Sequence, residues 1–497
     1  MKQMSQSPLT LVAVLLLVSI SLFSCKPTET VSSEDLPPIW PDYVDVTIPE
    51  GIAPMNFGPA DSLDVKDMRV EIRNHAGKTI LVSRGTATRF PLRKWHRILK
   101  EETGSFISFQ VDMKSENGWT RYIPFKMHIS PDPIDYGLTY RLIPPGYQSF
   151  GHMGIFERNL SNFHQRELLD TRMVNSGCIN CHTQNRTDPS TFSLHIRGAH
   201  SATFLKHDGK AECLNTVTDS TKGVFVYPYW HPSGKYIGYS TNATRQSFYT
   251  SADKMLESYD EWSDVIVYAV DQHIVLRPPQ TNRSDRFESW PAFSADGKTL
   301  FYSSSQFGRL PRDAKKLHYS LCSIPFDPES GTFGETVDTL LNADSMNSSF
   351  NLPRPSYDGK YILVTKSDFG TLQAGHKEAD LWIYDLGNGD FHNAGGINGY
   401  GQDSFHNWSS NSKWAVVCSR REDGLYTRLY IAHMGDNGVF DKGFLLPQRN
   451  PGKYYYELIY SYNTPDFTSG KVQFNRHTVR RMVMSPERQG VEVGTIN

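Results

Sequence analysis

The five residues Cys178-Ile179-Asn180-Cys181-His182 carry the most specific chemistry in the chain. Two thiols separated by two residues and followed at once by an imidazole match the C-x-x-C-H pattern of covalent haem attachment. The spacing has a chemical reason. The thiols add across the two vinyl groups on one porphyrin edge, and the adjacent His reaches the iron from the same side. The motif predicts a covalently bound haem c, with Cys178 and Cys181 as thioether positions and His182 as proximal ligand. Two bland readings stand beside it, a Cys178–Cys181 disulfide and half of a zinc site; zinc would want a second Cys/His pair of similar spacing, and none is evident. For the sixth iron position His195 in SLHIRGAH is the candidate distal ligand, and Arg197 is the candidate propionate contact. His200, Met173, His164 and Met153 are further candidates, and His195 reads equally well as an ordinary hydrogen-bonded histidine. An open sixth site would point to ligand binding or catalysis instead.

Haem attachment of this kind takes place outside the cytoplasm in bacteria, and the N-terminus reads as an export signal. Lys2 supplies a positive start, and Leu9 to Phe23 is an uncharged apolar run of 15 residues. That is short for a membrane span and suited to a signal h-region. The run ends in Leu22-Phe23-Ser24-Cys25, which resembles a bacterial lipoprotein signal over residues 1–24. The resemblance implies lipidation of Cys25 and a lipid bilayer as partner; an ordinary cleaved signal and an uncleaved anchor are the alternatives. Residues 25–40 are polar and Pro-rich, a tether. With Cys25 set aside, Cys178, Cys181, Cys213, Cys322 and Cys418 remain, an odd number that fits a disulfide framework poorly. The last three stand in strand-like settings and read as buried thiols. There is no dense acidic run after Cys25, so a periplasm-facing anchor, on the outer membrane, is the default location.

Composition sets the frame. A length of 497 residues is enough for about three domains. With 38% apolar and 21% charged residues the mature chain is globular, neither disordered nor a multi-span membrane protein. Lys plus Arg (51) balance Asp plus Glu (53), which leaves no electrostatic footprint for nucleic acid. Twenty-seven Phe, 25 Tyr and 9 Trp alongside 37 Gly and 29 Pro favour many short strands and turns.

Self-comparison finds a copied unit at 227–242, 289–305, 354–367 and 406–423. Each copy has an aromatic or Pro approach, a tight turn ending in Lys, and an apolar strand. The turn positions Gly234, Gly297, Gly359 and Ser412 are 63, 62 and 53 residues apart, room for four strands and a long loop. Further strands follow at 264–270, 317–327, 381–390 and 428–438. A β-propeller is the physical reading: each blade cannot bury its faces alone and closes by packing on its neighbours. A weaker unit at 203–216 and the Tyr-rich segment 455–474 extend the ring to five or six blades, with a β-sandwich of coincidental hairpins as the alternative.

The strings WHPSGKYIGYSTN, FSADGKTLFYSS and SYDGKYILVTKS resemble the TolB-type propeller repeat over about half the chain. The order of lipoprotein signal, IAPMNF (52–57), YRLIPPGYQSF (140–150), CINCH and propeller is similar to a family of Bacteroidetes lipoproteins, often labelled TolB-like or cytochrome c biogenesis-like, with no firm activity attached.

Before the motif, residues 41–130 alternate as a small β-sandwich-like domain, with a hairpin tip at His75 to Gly77 and a short helix or basic loop over Phe90 to Glu102. Residues 131–202 form a linker region in which 155–172 is the best helix candidate, so the haem motif is expected on a short helical insert. The propeller then runs over 203–475 and a tail over 476–497. The fold class is mainly β. Richest among the remaining polar groups are His376, Glu378 and Asp380, then Asp403 with His406; they read as blade-to-blade hydrogen bonding or as a metal or acid/base site. Arg420 and Arg421 could bind an anion or pair with Glu422 and Asp423 at the surface.

Three functions follow. The first is a membrane-anchored c-type haem lipoprotein for periplasmic electron transfer or redox sensing, its propeller docking a protein redox or envelope partner. The second is a non-catalytic propeller that binds an envelope partner or glycan, with a structural C-x-x-C. The third is a haem-dependent oxidoreductase whose open iron site faces the channel.

Overall fold

The computed structural model describes residues 30–61, 63–144, 152–218, 221, 223–251 and 254–495. The signal segment, Cys25 and the last six residues of YRLIPPGYQSF lie outside the described residues.

Six sheets stand around one channel, so the blade count is six. Blades three to six each begin with an inner strand, at Phe225–Trp230, Arg286–Phe293, Ser349–Pro355 and Asp403–Trp408. The four copied units are the hairpins from these inner strands to the second strands of the same blades. Gly234, Gly297 and Gly359 take φ of +75° to +76° at these turns, and Ser412 takes the same left-handed conformation at +58°. The later strands found by sequence are the third strands of these blades.

Two blades lie where sequence places a linker and a helical insert. Residues 155–172 are strands Gly154–Asn159 and Gln165–Asp170, which with Gly137–Ile143 form three strands of blade one. The haem motif is strand Cys178–Thr183, the inner strand of blade two, followed by Phe192–Arg197, Ala202–His207 and Lys210–Asn215. Local pattern misleads at 155–172 because the consecutive residues Leu168, Leu169 and Asp170 are all buried, which erases period-2 alternation. The unit at 203–216 is the outer hairpin of blade two, not an inner one. The propeller therefore runs from Gly137 to Thr468, not from 203 to 475.

Ring closure uses the chain's far end. Strand Ser461–Thr468, inside the Tyr-rich segment, pairs antiparallel with Gly137–Ile143 and becomes the inner strand of blade one. The tail beyond it forms helix Arg476–Met484 and two short strands, Gln489–Gly490 and Glu492–Val493, which add in parallel to the outer strands of blades two and three.

The N-terminal domain is one seven-stranded sheet with a separate two-stranded pairing of Ile39–Trp40 with Gly58–Pro59, rather than a sandwich. Asp67–Arg73 alternates buried and half-exposed, as period 2 demands of a one-sided sheet. Its covered face meets helix α1 (Leu92–Glu101), through Trp95, Ile98 and Leu99, and the segment carrying Tyr43, Ile52, Met55 and Phe57. A helix and an irregular segment do the covering that a second sheet does in a sandwich. The same core continues into blade six through Trp408 and Trp414. Among the described residues no helix is long and apolar enough to cross a membrane.

Candidate functional site

Every inner strand carries one β-bulge, and at each bulge one residue takes a positive φ: Cys181, Tyr227, Trp290, Leu352, Phe405 and Thr464, between +44° and +56°. Non-glycine residues seldom occupy this region, and a bulge re-aims the side chain it carries. All six line one cavity in the channel. The triplets around them are N-C-H, V-Y-P, S-W-P, N-L-P, S-F-H and N-T-P. The second half of the haem motif is thus the blade-two version of the residues that every blade turns towards the channel.

The cavity offers about 270 Å³ to the centres of water molecules. Tyr227 and Trp290 stack at 3.6 Å between ring centroids on one wall, and the Trp290 indole donates to the Thr371 carbonyl at 3.1 Å. The long hairpin of blade three, Tyr236–Ser251 with Lys254–Ala269, reaches across: Thr244, Gln246 and Ser258 join the lining, as do Leu372 and Ala374 of blade five. This hairpin is tied to blade five where buried Glu257 meets His376 at 3.2 Å, with Glu378 on the other ring nitrogen at 3.2 Å. Burial works against the charged imidazole, but the bonds and charges of the two glutamates outweigh it and hold His376 up to about 9.

His182 is buried and lines the cavity. Its Nδ1 lies 3.4 Å from the Thr464 hydroxyl, its ring stacks on Phe192, and among the described residues its buried Nε2 has no hydrogen-bond partner. Burial, with the nearby Arg141 charge, pushes it down to about 3. The ring is therefore neutral at pH 7 and keeps a lone pair, as a metal ligand must. Burial raises the Cys181 thiol, so it stays protonated. Cys178, half-buried and also a free thiol, packs with Sγ 3.8 Å from Met153 Sδ and does not line the cavity. The two thiols are thus not brought together on one wall.

His195 sits on the second strand of blade two, in register between Asn180 and Thr203, and its Nδ1 meets the Thr203 hydroxyl at 3.0 Å. It is absent from the cavity wall, although its Nε2 is buried and unpartnered. Arg197 does line the cavity, and so do Arg141, Arg354 and Arg420. Asp466 is the carboxylate on the same wall, raised by burial to about 6. Sequence reasoning passed over Arg141, Arg354, Tyr227 and Trp290. The aromatic-Pro pairs at 227–228 and 290–291, one per repeat, were the signal available.

His406 lines the cavity, but its Nε2 donates to the Leu363 carbonyl at 2.9 Å, and burial pushes it down to about 3. Asp403 is fully buried and receives Arg421 at 3.0 Å. Arg421 thus pairs inside blade six rather than with Glu422 and Asp423, and Glu422 instead accepts the Trp40 indole at 2.7 Å. Cys213, Cys322 and Cys418 are buried free thiols, as their strand settings predict. Among the described residues His152, Glu167 and Asp170 have metal-ligand spacing. Arg172 already occupies Asp170, at 2.9 Å, and Arg476 lies 3.7 Å from Glu167.

Fold and site together define a six-bladed β-propeller with a C-x-x-C-H inner strand at its channel. No family model matches the chain, and no curated protein matches it significantly. Among solved structures the chain is similar to prolyl oligopeptidase B from Galerina marginata bound to a 25mer macrocyclization substrate, at 11% identity and a TM-score of 0.35, covering 68% of this chain and 42% of that one. The tricorn protease (15% identity, TM-score 0.33, 66% and 32% covered) and a Mycobacterium tuberculosis puromycin-hydrolyzing peptidase (13%, 0.34, 82% and 57%) also match. The chain spans less than two thirds of the length of each.

Proposed function

We propose that the protein is a c-type haem lipoprotein of the bacterial envelope, anchored through Cys25, and that it serves electron transfer or redox sensing with the propeller as docking platform. It would belong with the Bacteroidetes lipoproteins it resembles and face the periplasm from the outer membrane. The observation that carries the reading is the neutral, buried, unpartnered Nε2 of His182 beside a cavity lined by arginines and a Tyr–Trp pair.

Cys181, His182 and the arginines of the cavity suit a haem, whereas Cys178 lies off the cavity wall. Cys181 and Cys178 would hold it covalently, His182 would be its proximal ligand, and arginines on the wall would face its carboxylates. Bound there, haem supplies a one-electron couple whose potential depends on axial ligand, burial and nearby charge. The chain's part is to keep His182 neutral, to cover the cavity with the blade-three hairpin, and to place guanidinium charge beside it. Attachment through both thiols requires Cys178 to leave Met153.

The test is a pyridine haemochrome spectrum of the exported protein from a host with haem-attachment machinery, beside a Cys178→Ala/Cys181→Ala variant. Covalent haem in the parent and none in the variant is the expected result. A haem-free parent from cells that mature a control cytochrome would leave the second reading, a binding propeller whose C-x-x-C is structural. The separation of Cys178 from the cavity wall favours that alternative.

A further inference from the structure

Burying a guanidinium without an anion is costly, because the low-dielectric surroundings replace water poorly. Arg141, on the second strand of blade one, spends its terminal nitrogens on uncharged groups. Nη1 donates to the Ile179 carbonyl at 3.1 Å and to the Asn180 side chain, and Nη2 donates to Asn463 at 2.7 Å. Its Nε is buried with no partner, and so is the Nε of Arg197 on blade two. No carboxylate lies within ion-pair distance of either one among the described residues. The two are close enough that Arg197 depresses the Arg141 pKa, adding to the larger effect of burial. The Arg197 charge pulls down the buried Asp260 carboxyl, yet burial still raises that carboxyl to about 7. Two like charges therefore face one cavity with too little negative charge to balance them.

We propose that Arg141 and Arg197 form a two-guanidinium site for a carboxylate of a planar ligand held in the channel. Resting on the haem reading above, that carboxylate is a haem propionate. Guanidinium forks suit carboxylates because they donate in a plane and stay charged. A free small carboxylate shares the same chemistry, and the experiment separates the two sources.

The first arm uses haem-loaded protein and its Arg197→Gln and Arg141→Gln variants. Loss of positive charge beside the group favours the oxidised form, so each variant should shift the reduced-to-oxidised ratio about tenfold, a fall of about 59 mV for one electron. The second arm uses the Cys178→Ala/Cys181→Ala protein, titrated with protoporphyrin IX, with its dimethyl ester and with succinate. The free acid should bind at least tenfold tighter than the diester, and Arg197→Gln should bring that ratio close to one. Among the described residues Arg197 makes no side-chain hydrogen bond, so this variant stays informative if Arg141→Gln is unstable. An unchanged potential with an unchanged acid-to-ester ratio overturns the proposal. Succinate binding as tightly as the porphyrin, and lost in the variants, overturns the assignment to a propionate. A haem-free parent removes the haem reading alone, while the acid-to-ester ratio still decides the arginine site.

Discussion

Gly297 and Gly359 occupy equivalent turns with the same φ of +76°, yet their surroundings differ. A Cβ on Gly359 would meet only Ala295 Cβ at 3.5 Å, whereas one on Gly297 would come within 2.1 Å of His231 Nε2. That ring is fixed by Ser233 at 2.7 Å and by the Gly297 carbonyl at 3.0 Å, so it cannot step aside freely. Gly359→Ala should cost about 1 kcal/mol for the left-handed conformation alone. Gly297→Ala should cost about 3 kcal/mol, because overpacking is added. Denaturant unfolding of both variants checks this, and equal losses would mean that His231 relaxes. At the same scale the C-x-x-C-H pentapeptide was legible from type and spacing, but Arg141 was not. Nothing in YRLIPPGY marks that arginine, which gains meaning only where strand pairing sets it against Asn180 and Asn463.

The blade-three hairpin is the element that covers the cavity, and its attachment to blade five has a definite pH dependence. His376 is held up to about 9 in the folded chain against an ordinary 6.5. A raised histidine pKa contributes stability that is complete below about 6.5 and is lost as pH rises through about 9. Amide exchange in residues 257–269 should therefore quicken between pH 7 and pH 10 relative to other blades, after correction for intrinsic rates. His376→Gln should exchange fast at both pH values, and a wild-type hairpin equally protected at both would show that the contact does not hold it. Elements in the second half were readable because their turns repeat a tight reversal followed by an apolar strand. Of blades one and two only the Tyr-rich inner strand and the outer hairpin at 203–216 were readable, since the first blade lacks that turn and the second replaces it with the longer connection 184–191.

At the scale of the molecule, closure of the ring depends on eight residues near the C-terminus. Removing residues 461–497 takes away the inner strand of blade one and exposes the edge of Gly137–Ile143. Such a chain should lose its single cooperative unfolding transition and aggregate, whereas removal of 487–497 takes two short edge strands, the Arg488 bonds to the end of the last helix and buried Val491, and should leave that transition in place. Thermal unfolding monitored by circular dichroism distinguishes them; retention of one transition in the shorter chain would show that blade one closes without its inner strand. The N-terminal sheet should melt together with blade six, because Trp95 and Trp414 belong to one core.

The residue sequence by itself determined the mainly β class, the propeller repeat, and the C-x-x-C-H pentapeptide, since composition, turn chemistry and covalent spacing are local properties. Only the tertiary structure decided that this pentapeptide is a blade's inner strand, that the ring has six blades, and that Arg141, Arg197 and His182 line one cavity. Pairing between residues 322 positions apart, as Arg141 is from Asn463, leaves no local pattern to read. The physical reason is that a closed ring is specified by contacts between its ends, and those contacts exist only once every blade between them has packed.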